Sequence, residues 1–419
     1  MRRTLQLAVI ADDITGAADT GVQFCPAVGP VFMASLVDGT LTDVPETDNG
    51  VAGFTNTRHA DPATAADIVG RAAKGLSHLE PGVLYKKIDS CLRGNLGAEL
   101  DAMLLATGCA ASFVVPALPQ QGRTTVNDRH LIHGVPVAVS EIGRDPRCPV
   151  RESRLSVLLS AQSRLPVGHV GLGTVENGAA DLARQVGNLL DQGCRHITFD
   201  ARETVHLEAI AGLARHHFTG MLLAGSAGLA GSLARMLTHN FAGNTLLQRP
   251  RINRWLLVCG SASRVLAEQV ATLVHTGGWV HWPLDPLALS RPAGSTAGVR
   301  ALARQAGNIK TGGVVLSIRP IPDTGAVCDP DRVVRGLAAA AADLVDTMAP
   351  QGVLLSGGDT AEAFWQAIGA RALRIREEVL PGIMRGEFIG GWHDGLPVVT
   401  KAGAFGHADT LNQLIKRLT

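Results

Sequence analysis

The chain has 419 residues, of which 46% are hydrophobic and 18% charged, and its formal net charge is +1. This length fits two or three domains with large cores, and 48 glycines beside 4% aromatic residues favour α/β layers over an aromatic-rich sandwich. The near-zero charge gives no case for nucleic acid or an anionic membrane surface as a partner, so any cationic site must be local.

Cysteine usage and the N-terminal stretch indicate the compartment. The seven cysteines are scattered and contain no CxxC pair, which argues against a disulfide framework and a structural zinc site. The first apolar run meets Asp12 and Asp13 too early for a signal peptide, and no run of about twenty apolar residues predicts a membrane span. We therefore expect a cytoplasmic protein.

Strand-like and helix-like segments alternate along the first part of the chain. The pattern predicts strands at 5–11, 82–88, 111–117, 196–201 and 219–225, and helices at 15–24 and 226–237. Such βαβ alternation is typical of mainly parallel sheets. The polar segment 238–253 contains glycine, asparagine and proline and is interpreted as a linker between domains.

The alternation restarts after this linker. The pattern predicts strands at 254–260, 312–318 and 352–357, helices at 262–274, 330–348 and 409–418, and antiparallel strands with turns at 382–406. We therefore predict two α/β domains, 1–245 and 254–419. Each would have a mainly parallel sheet flanked by helices, with the active site in the cleft between the domains.

The motif VIADDITGAADTG places two acids directly after the first strand. A carboxylate at a strand end can bind a substrate hydroxyl or accept its proton, which makes Asp12 a catalytic and binding candidate. Capping of the following helix by Asp13 or Thr15 is the structural alternative.

Cationic side chains follow several strands of the first domain. They are Arg58 in FTNTRH, Lys86, Lys87 and Arg93 in KKIDSCLRGN, and Arg123 in PALPQQGRTTVN. Because the carboxyl ends of parallel strands share one edge of a sheet, we expect these loops to form a cationic pocket beside Asp12 and Asp89. Such a pocket would suit a small hydroxylated anion.

Three turns rich in glycine and serine follow strands of the second domain. Their residues are Ser261 in VCGSAS, Gly357, Gly358, Asp359 and Thr360 in SGGDTAEAF, and Lys401, Gly403, Ala404, Phe405 and Gly406 in VTKAGAFGHADTL. Glycine lets backbone N–H groups approach a phosphate, and a helix N-terminus stabilises its charge. The turns are neither a Walker A loop nor a GxGxxG motif, yet together they predict a nucleotide site.

Two alternatives from other classes remain open. The segment Ala224 to Gly228 places Ser226 between a strand and a helix, near the G-x-S-x-G plan of serine hydrolases, although Ala224 replaces the first glycine. A non-catalytic sensor of such a small hydroxylated anion would need no nucleotide site.

The motifs quoted above, in this order and over nearly the whole chain, resemble the four-carbon acid sugar kinases. The resemblance implies transfer of a phosphoryl group from ATP, with Mg²⁺, to the terminal 4-hydroxyl of a sugar acid. It implies substrate contacts from Asp12, Arg58 and the turn Lys86, Lys87, Ile88 and Asp89, and ATP contacts from Ser261, Gly358 and the loop Gly403 to Gly406. The wording KKIDSxLRGN is more similar to the D-threonate and D-erythronate branch than to the 3-oxo-tetronate kinases. Cys91 and Ala404 depart from the family pattern, which bears on substrate choice.

The mechanism that follows leaves the proton acceptor open. Arg58, Lys86 and Lys87 would pair with the substrate carboxylate, and Asp12 would orient the hydroxyl or accept its proton. Asp89 competes for the same role. Asp359 is a candidate ligand for Mg²⁺, and the oligomeric state, including a homo-oligomer, is left open.

Overall fold

The computed structural model of the chain describes residues 5–38, 41, 44–45, 48–145, 147–237, 251–261, 263–291, 312–320, 328–403 and 405–419. The chain divides into two compact units, Met1–Gly243 and Asn244–Thr419. Most of the predicted linker, residues 238–250, lies outside the described residues, so the limits of the linker and of the two domains stay predictions.

The first unit is built from alternating strands and helices. Its strands are β1 Leu7–Ala11, β2 Val31–Ser35, β3 Gly50–Phe54, β4 Val83–Lys87, β5 Ser112–Val115, β6 Arg123–Val126, β7 Arg129–Ile132, β8 Val135–Pro136, β9 Val167–Val170, β10 His196–Phe199 and β11 Leu222–Gly225. Its helices are α1 Ile14–Val28, α2 Pro62–Ser77, α3 Leu96–Thr107, α4 Leu155–Gln162, α5 Leu172–Glu176, α6 Ala179–Asp191, α7 Thr204–His216 and α8 Ala227–Leu237.

The main sheet of this unit is parallel throughout. Its strand order is β2-β3-β1-β4-β11-β5-β10-β9, and every neighbouring pair is parallel. All five residues of β1 are buried, as expected for a strand covered on both faces. Strands β6, β7 and β8 form a separate antiparallel sheet. The prediction of a mainly parallel α/β sheet is confirmed.

The second unit repeats the α/β plan and adds an antiparallel edge. Its strands are β12 Arg254–Cys259, β13 Trp279–Leu284, β14 Gly312–Ile318, β15 Gly352–Ser356, β16 Ala372–Leu380, β17 Ile383–Ile389 and β18 Pro397–Lys401. Its helices are α9 Arg264–His275, α10 Pro286–Leu289, α11 Pro330–Met348, α12 Gly358–Ala367 and α13 Thr410–Leu418. The order is β13-β14-β12-β15-β18-β17-β16, parallel as far as β18 and antiparallel beyond it.

Each unit has its own apolar core. In the first, Ile10 and Val51 of the sheet pack with Leu100 of α3, and in the second, Trp255 and Leu354 pack with Leu414 of α13. None of the helices formed by the described residues combines the length and apolar composition needed to cross a bilayer.

Candidate active site

The carboxyl ends of β3, β1 and β4 form one edge of the first unit's sheet. Strand β1 lies between the other two, with Ala11 paired to Phe54 of β3 and Ile10 paired to Lys86 of β4. The chain places β2 and β3 on one side of β1 and then crosses to β4 on the other side. Ligands of open α/β sheets bind outside the strand ends at such a reversal.

Arg58 connects the ends of β3 and β1. Its Nε donates to Oδ2 of Asp12 at 2.8 Å, and its Nη2 donates to Oδ1 of Asp12 at 2.9 Å. Its Nη1 donates to Asp13 at 2.5 Å, and its Nη2 lies 4.0 Å from Oδ1 of Asp89. Burial disfavours the charge of Arg58, but the three carboxylates outweigh burial and raise its pKa. The sequence prediction that Arg58, Asp12 and Asp89 lie together is therefore confirmed in the geometry.

Asp12 and Asp13 have different tasks. Oδ1 of Asp13 accepts a hydrogen bond from the Gly16 N–H at 2.7 Å. Asp13 therefore caps α1, which is the structural alternative that the sequence offered for this residue. Asp12 is buried, and both of its oxygens accept from Arg58. Burial opposes ionisation of Asp12, but the attraction of Arg58 outweighs it and lowers the pKa. Asp12 is therefore ionised at neutral pH.

Asp89 forms a second pair with an arginine, within the turn after β4. Its Oδ2 accepts from Nε of Arg93 at 2.8 Å and its Oδ1 from Nη2 at 3.2 Å. Burial alone would raise the pKa of Asp89, but Arg93 and Arg58 outweigh it and lower the pKa well below its usual range. Both predicted proton acceptors, Asp12 and Asp89, thus carry an arginine on both oxygens.

Lys86 and Lys87 are the last two residues of β4, within the strand predicted at 82–88, so they do not lie in the following loop as the predicted cationic pocket required. Because side chains alternate along a strand, the two lysines extend from opposite faces of the sheet. The ammonium of Lys86 lies 2.7 Å from Oε2 of Glu99 in α3 and has no exposed surface. The ammonium of Lys87 lies 3.6 Å from Oδ1 of Asp19 in α1. The structure therefore gives Lys86 no surface for the direct ligand contact that the sequence predicted.

The cluster is not the cationic pocket that the sequence indicated. Arg58, Lys87 and Arg93 each lie within 4 Å of at least one carboxylate. The physical reason is that a buried charge without a partner is expensive, so a fold that buries cations must bury acids beside them. The site is better described as a mixed cluster of cations and carboxylates.

Ile88 and Arg123 lie at the margins of this cluster. Ile88 is buried, and its N–H donates to the carbonyl of Gly225 at the end of β11. Arg123, predicted in a loop, is the first residue of β6, and its Nε donates to Sγ of Cys91 at 3.3 Å. Its Nη1 also contacts the side chain of Gln121.

Three polar side chains of the cluster, those of Asp19, Thr57 and Glu99, were not predicted from the sequence. Asp19 follows Asp13 on α1 and meets Lys87, while Glu99 of α3 accepts from the Thr57 hydroxyl at 2.6 Å. A signal existed for Asp19 and Glu99, because an acid within an otherwise apolar helical segment requires a partner. The identity of that partner depends on how the helices pack.

The second unit brings its three predicted turns to one edge. Strand β15 lies between β12 and β18, and Ser356 is paired with Cys259 on one side and Lys401 on the other. The turns that follow these strands start at Gly260, Gly357 and Ala402. They therefore meet at the carboxyl end of the parallel sheet, where ligands of α/β proteins bind.

Glycine is required in two of these turns. Gly357 has a φ of +113°, which other residues rarely adopt, and it precedes the first turn of α12, which carries Gly358, Asp359 and Thr360. A Cβ on Gly403 would collide with the side chain of Ser261. Ser261 and Gly403 are thus in direct contact, as a shared nucleotide site requires.

Lys401 is used differently from the phosphate contact that the sequence predicted. Its ammonium donates to the carbonyls of Ala402, Gly403 and Phe405 at 2.9, 3.3 and 3.0 Å. Burial lowers the pKa of Lys401 to about 8. Three carbonyls occupy its three donor hydrogens, so Lys401 fixes the loop that contains Gly403 and Gly406. The predicted Ala404 lies outside the described residues.

The side chain of Ser226 does not resemble a hydrolase nucleophile. It is fully buried, and its hydroxyl donates to the Ala117 carbonyl at 2.7 Å and accepts from the Gly228 N–H. No histidine of the described residues bonds to it. Ser226 thus fixes the turn between β11 and α8.

No group of three or more histidine, cysteine or acidic side chains that could hold a metal ion occurs among the residues that the structure describes. Magnesium in nucleotide sites is held by one or two carboxylates together with phosphates, so such a group is not required. Asp359, in the first turn of α12, remains the predicted ligand.

Comparison with known families settles the class of protein. A model of a sugar-binding N-terminal domain matches residues 7–233, and a model of a nucleotide-binding C-terminal domain matches residues 256–411. A Salmonella typhimurium D-threonate kinase is 31% identical to the chain, over 97% of both proteins. The chain belongs to the four-carbon acid sugar kinase family. It is accordingly a sugar-acid kinase, which makes the serine hydrolase and non-catalytic sensor hypotheses wrong.

Other members of the four-carbon acid sugar kinase family differ in the substrate for which they are named. A D-erythronate kinase of Heliobacterium modesticaldum is 29% identical over 96% of this chain and 94% of its own. A 3-oxo-tetronate kinase of Methylobacterium radiotolerans is 27% identical over 97% of both chains. A Haemophilus influenzae protein of known structure shares the fold, with a TM-score of 0.78, 22% identity and coverage of 98% of this chain and 100% of its own.

Proposed function

We propose that the protein transfers a phosphoryl group from ATP to the 4-hydroxyl of D-threonate or D-erythronate. The observation that carries the proposal is the mixed cluster at the ends of β3, β1 and β4, where Arg58 lies beside the carboxylates of Asp12 and Asp89 and Lys87 lies beside that of Asp19. A sugar acid needs both kinds of group, since its carboxylate binds cations and its hydroxyls donate to carboxylates.

The sugar acid binds by replacing contacts within the cluster. Its carboxylate pairs with Arg58 and Lys87, and its hydroxyls donate to Asp12 and Asp89. Arg93 and Arg123 line the outer side, next to Asp89 and Cys91. Lys86 acts indirectly, through the buried pair with Glu99.

The nucleotide binds at the glycine turns of the second unit. The phosphates accept hydrogen bonds from backbone N–H groups of Gly357 to Thr360 at the start of α12 and of the loop Gly403 to Gly406. Ser261 adds a hydroxyl beside Gly403. Magnesium, when bound, neutralises the phosphate oxygens, with Asp359 as its protein ligand.

Placement does most of the chemical work in this proposal. Phosphoryl transfer requires the attacking and leaving oxygens to be in line and the phosphate charge to be neutralised, with little covalent help from the protein. Asp12 and Asp89 accept from the other hydroxyls of the sugar acid and so orient its terminal hydroxyl toward the γ-phosphate. Since the two ligands bind to different units, their sites must meet for transfer, and the predicted interdomain cleft stays a prediction.

A second substrate in the same family is 3-oxo-tetronate. The relatives named for it are 27% identical or less, against 29–31% for those named for D-erythronate and D-threonate. The motif KKIDSCLRGN favours the latter pair of substrates.

The test is a screen for ADP release with purified protein, ATP and Mg²⁺ over D- and L-threonate, D- and L-erythronate and 3-oxo-tetronate. We expect the fastest turnover with D-threonate or D-erythronate, and ³¹P-coupled NMR of the product should place the phosphate on carbon 4. Release that no four-carbon acid stimulates would overturn the proposal.

A further inference from the structure

Four carboxylates, those of Asp12, Asp13, Asp19 and Asp89, lie within 4.0 Å of Arg58 or Lys87, and three of them are fully engaged. Both oxygens of Asp12 accept from Arg58, and both oxygens of Asp89 accept from Arg93. Asp13 uses one oxygen to cap α1 and the other to accept from Arg58. A carboxylate held by arginine on both oxygens binds well but is a weak proton acceptor.

Asp19 is the exception. Its Oδ1 accepts from the hydroxyl of Thr20 at 3.0 Å and lies 3.6 Å from Nζ of Lys87. Its Oδ2 has no donor among the residues that the structure describes. Its side chain is 33% exposed, against 5% for Asp12 and 9% for Asp89, so it is the carboxylate most open to an incoming ligand.

We propose that Asp19 is the catalytic residue that accepts the proton of the sugar-acid hydroxyl during phosphoryl transfer. This inference rests on the proposed function, because it places the sugar acid against Lys87 and therefore beside Asp19. The hydroxyl oxygen forms the new bond to the γ-phosphorus, and its proton passes to Oδ2 of Asp19. The bond between the γ-phosphorus and the bridging oxygen breaks, and its electron pair leaves with ADP.

The electrostatics of the pocket support this role. Partial burial raises the pKa of Asp19 to about 6, the attraction of Lys87 opposes this rise, and the negative charges of Asp13 and Asp89 add to it. Burial, together with the negative charge of Asp19, raises the pKa of Tyr85 on β4, whose hydroxyl donates to the Ser226 carbonyl. Helix α8 packs on α1, and its titratable side chain, Arg235, is paired with Glu208. A carboxylate that titrates near 6 is ionised at neutral pH yet basic enough to take a proton.

The test compares wild-type protein with Asp19→Asn and Asp19→Glu, and with Asp67→Asn as a matched control on an exposed face of α2. We expect Asp19→Asn to lower kcat about 10²-fold or more at pH 8, Asp19→Glu to recover part of the loss, and the control to match wild type. Protonation of ATP affects all variants alike. The ratio of wild-type to Asp19→Asn kcat therefore isolates this carboxylate, and it should fall about tenfold per pH unit below about pH 6.

Two results for Asp19→Asn would overturn its proposed role as proton acceptor. A near-normal kcat for Asp19→Asn overturns the role of Asp19 as proton acceptor. A reduced kcat whose ratio to wild type is independent of pH between 5 and 8 also overturns it, and would show that Asp19 acts only as the partner of Lys87. Sugar-acid binding measured by calorimetry shows whether Asp19→Asn is folded. If it neither folds nor binds, Asp19→Glu decides: its kcat must be lower than that of wild type, and the pH below which kcat decreases must differ from that of wild type. An unchanged kcat and pH profile for Asp19→Glu would then overturn the role. Wild-type protein inactive with every four-carbon acid overturns the proposed function itself.

Discussion

Arg58 makes the largest number of ionic contacts at the proposed sugar-acid site, since it lies within 4.0 Å of Asp12, Asp13 and Asp89. A substrate carboxylate that replaces one of these contacts gains a charge-assisted hydrogen bond. Loss of such a bond costs roughly 1.5–3 kcal/mol.

We therefore expect Arg58→Ala to raise the KM for the sugar acid about 10- to 150-fold, at 1.4 kcal/mol per decade, with a small effect on the KM for ATP. Lys87→Ala should act in the same direction. Steady-state kinetics with Arg71→Ala, an exposed arginine of α2, provides the control. An unchanged sugar-acid KM in both variants would mean that the anion binds elsewhere.

Asp19 should also affect stability with a definite sign. Because its pKa is raised to about 6 in the folded protein, its contribution to stability is present below about pH 4 and is lost as the pH rises through 6. Asp19→Asn should therefore raise the melting temperature at pH 8 relative to wild type, and the difference should vanish near pH 4. A lower melting temperature at pH 8 would show that the pair with Lys87 is stabilising overall.

The lowered pKa of Lys401 predicts that alkaline pH weakens nucleotide binding. Its pKa is lowered to about 8, so it loses its charge and one donor hydrogen as the pH rises through this value. The loop carbonyls then lose a partner, and the KM for ATP of wild-type protein should rise between pH 7 and 9. Lys401→Met should show a KM raised about tenfold or more that no longer depends on pH, whereas the exposed Lys416→Met should behave as wild type. A pH-independent KM in wild-type protein would contradict this role.

The residues of the site could be predicted from sequence only in part. Asp12, Arg58 and Asp89 follow adjacent parallel strands, and that pattern alone places them together. The pairing of Lys86 with Glu99 and of Lys87 with Asp19 depends on which helix packs on which face of β4. No pattern within one segment contains that information.

At the scale of elements, the buried strands and long helices were predictable because apolar runs and helical periodicity are local signals. The predicted strands at 312–318 and the helix at 330–348 agree with β14 and α11 at both ends. The small sheet of β6, β7 and β8 was not predicted. Its strands have four residues or fewer and few apolar side chains, so Arg123 was assigned to a loop.

The start of α12 provides a test at this scale. Gly357 has a positive φ, so alanine there strains the turn that positions the N–H groups of α12. Gly357→Ala should raise the KM for ATP and leave sugar-acid affinity, measured without nucleotide, unchanged. Gly395→Ala is the matched control, because its φ is +80° and no atom lies within 4 Å of the new Cβ. Equal effects of both variants on the KM for ATP would attribute the result to general strain.

At the scale of the whole molecule, the two-domain plan followed from the restart of βαβ alternation after the predicted linker. The two matched family domains, at 7–233 and 256–411, agree with the division of tasks inferred from the chemistry of the motifs. Side-chain cations and acids cluster in the first unit, and glycine turns cluster in the second. The choice among four-carbon acids could not be predicted, because it depends on the placement of single hydroxyl groups.

The division of tasks between the two units is the central claim, and a crystal structure of the full chain with a four-carbon sugar acid and a non-hydrolysable ATP analogue tests it most directly. We predict the sugar-acid carboxylate on Arg58 and Lys87, its terminal hydroxyl within reach of Asp19, and the phosphates on Gly357 to Thr360 and Ser261. Phosphates lying on residues 86–95, or a sugar acid bound to the glycine turns, would contradict the assignment of both units.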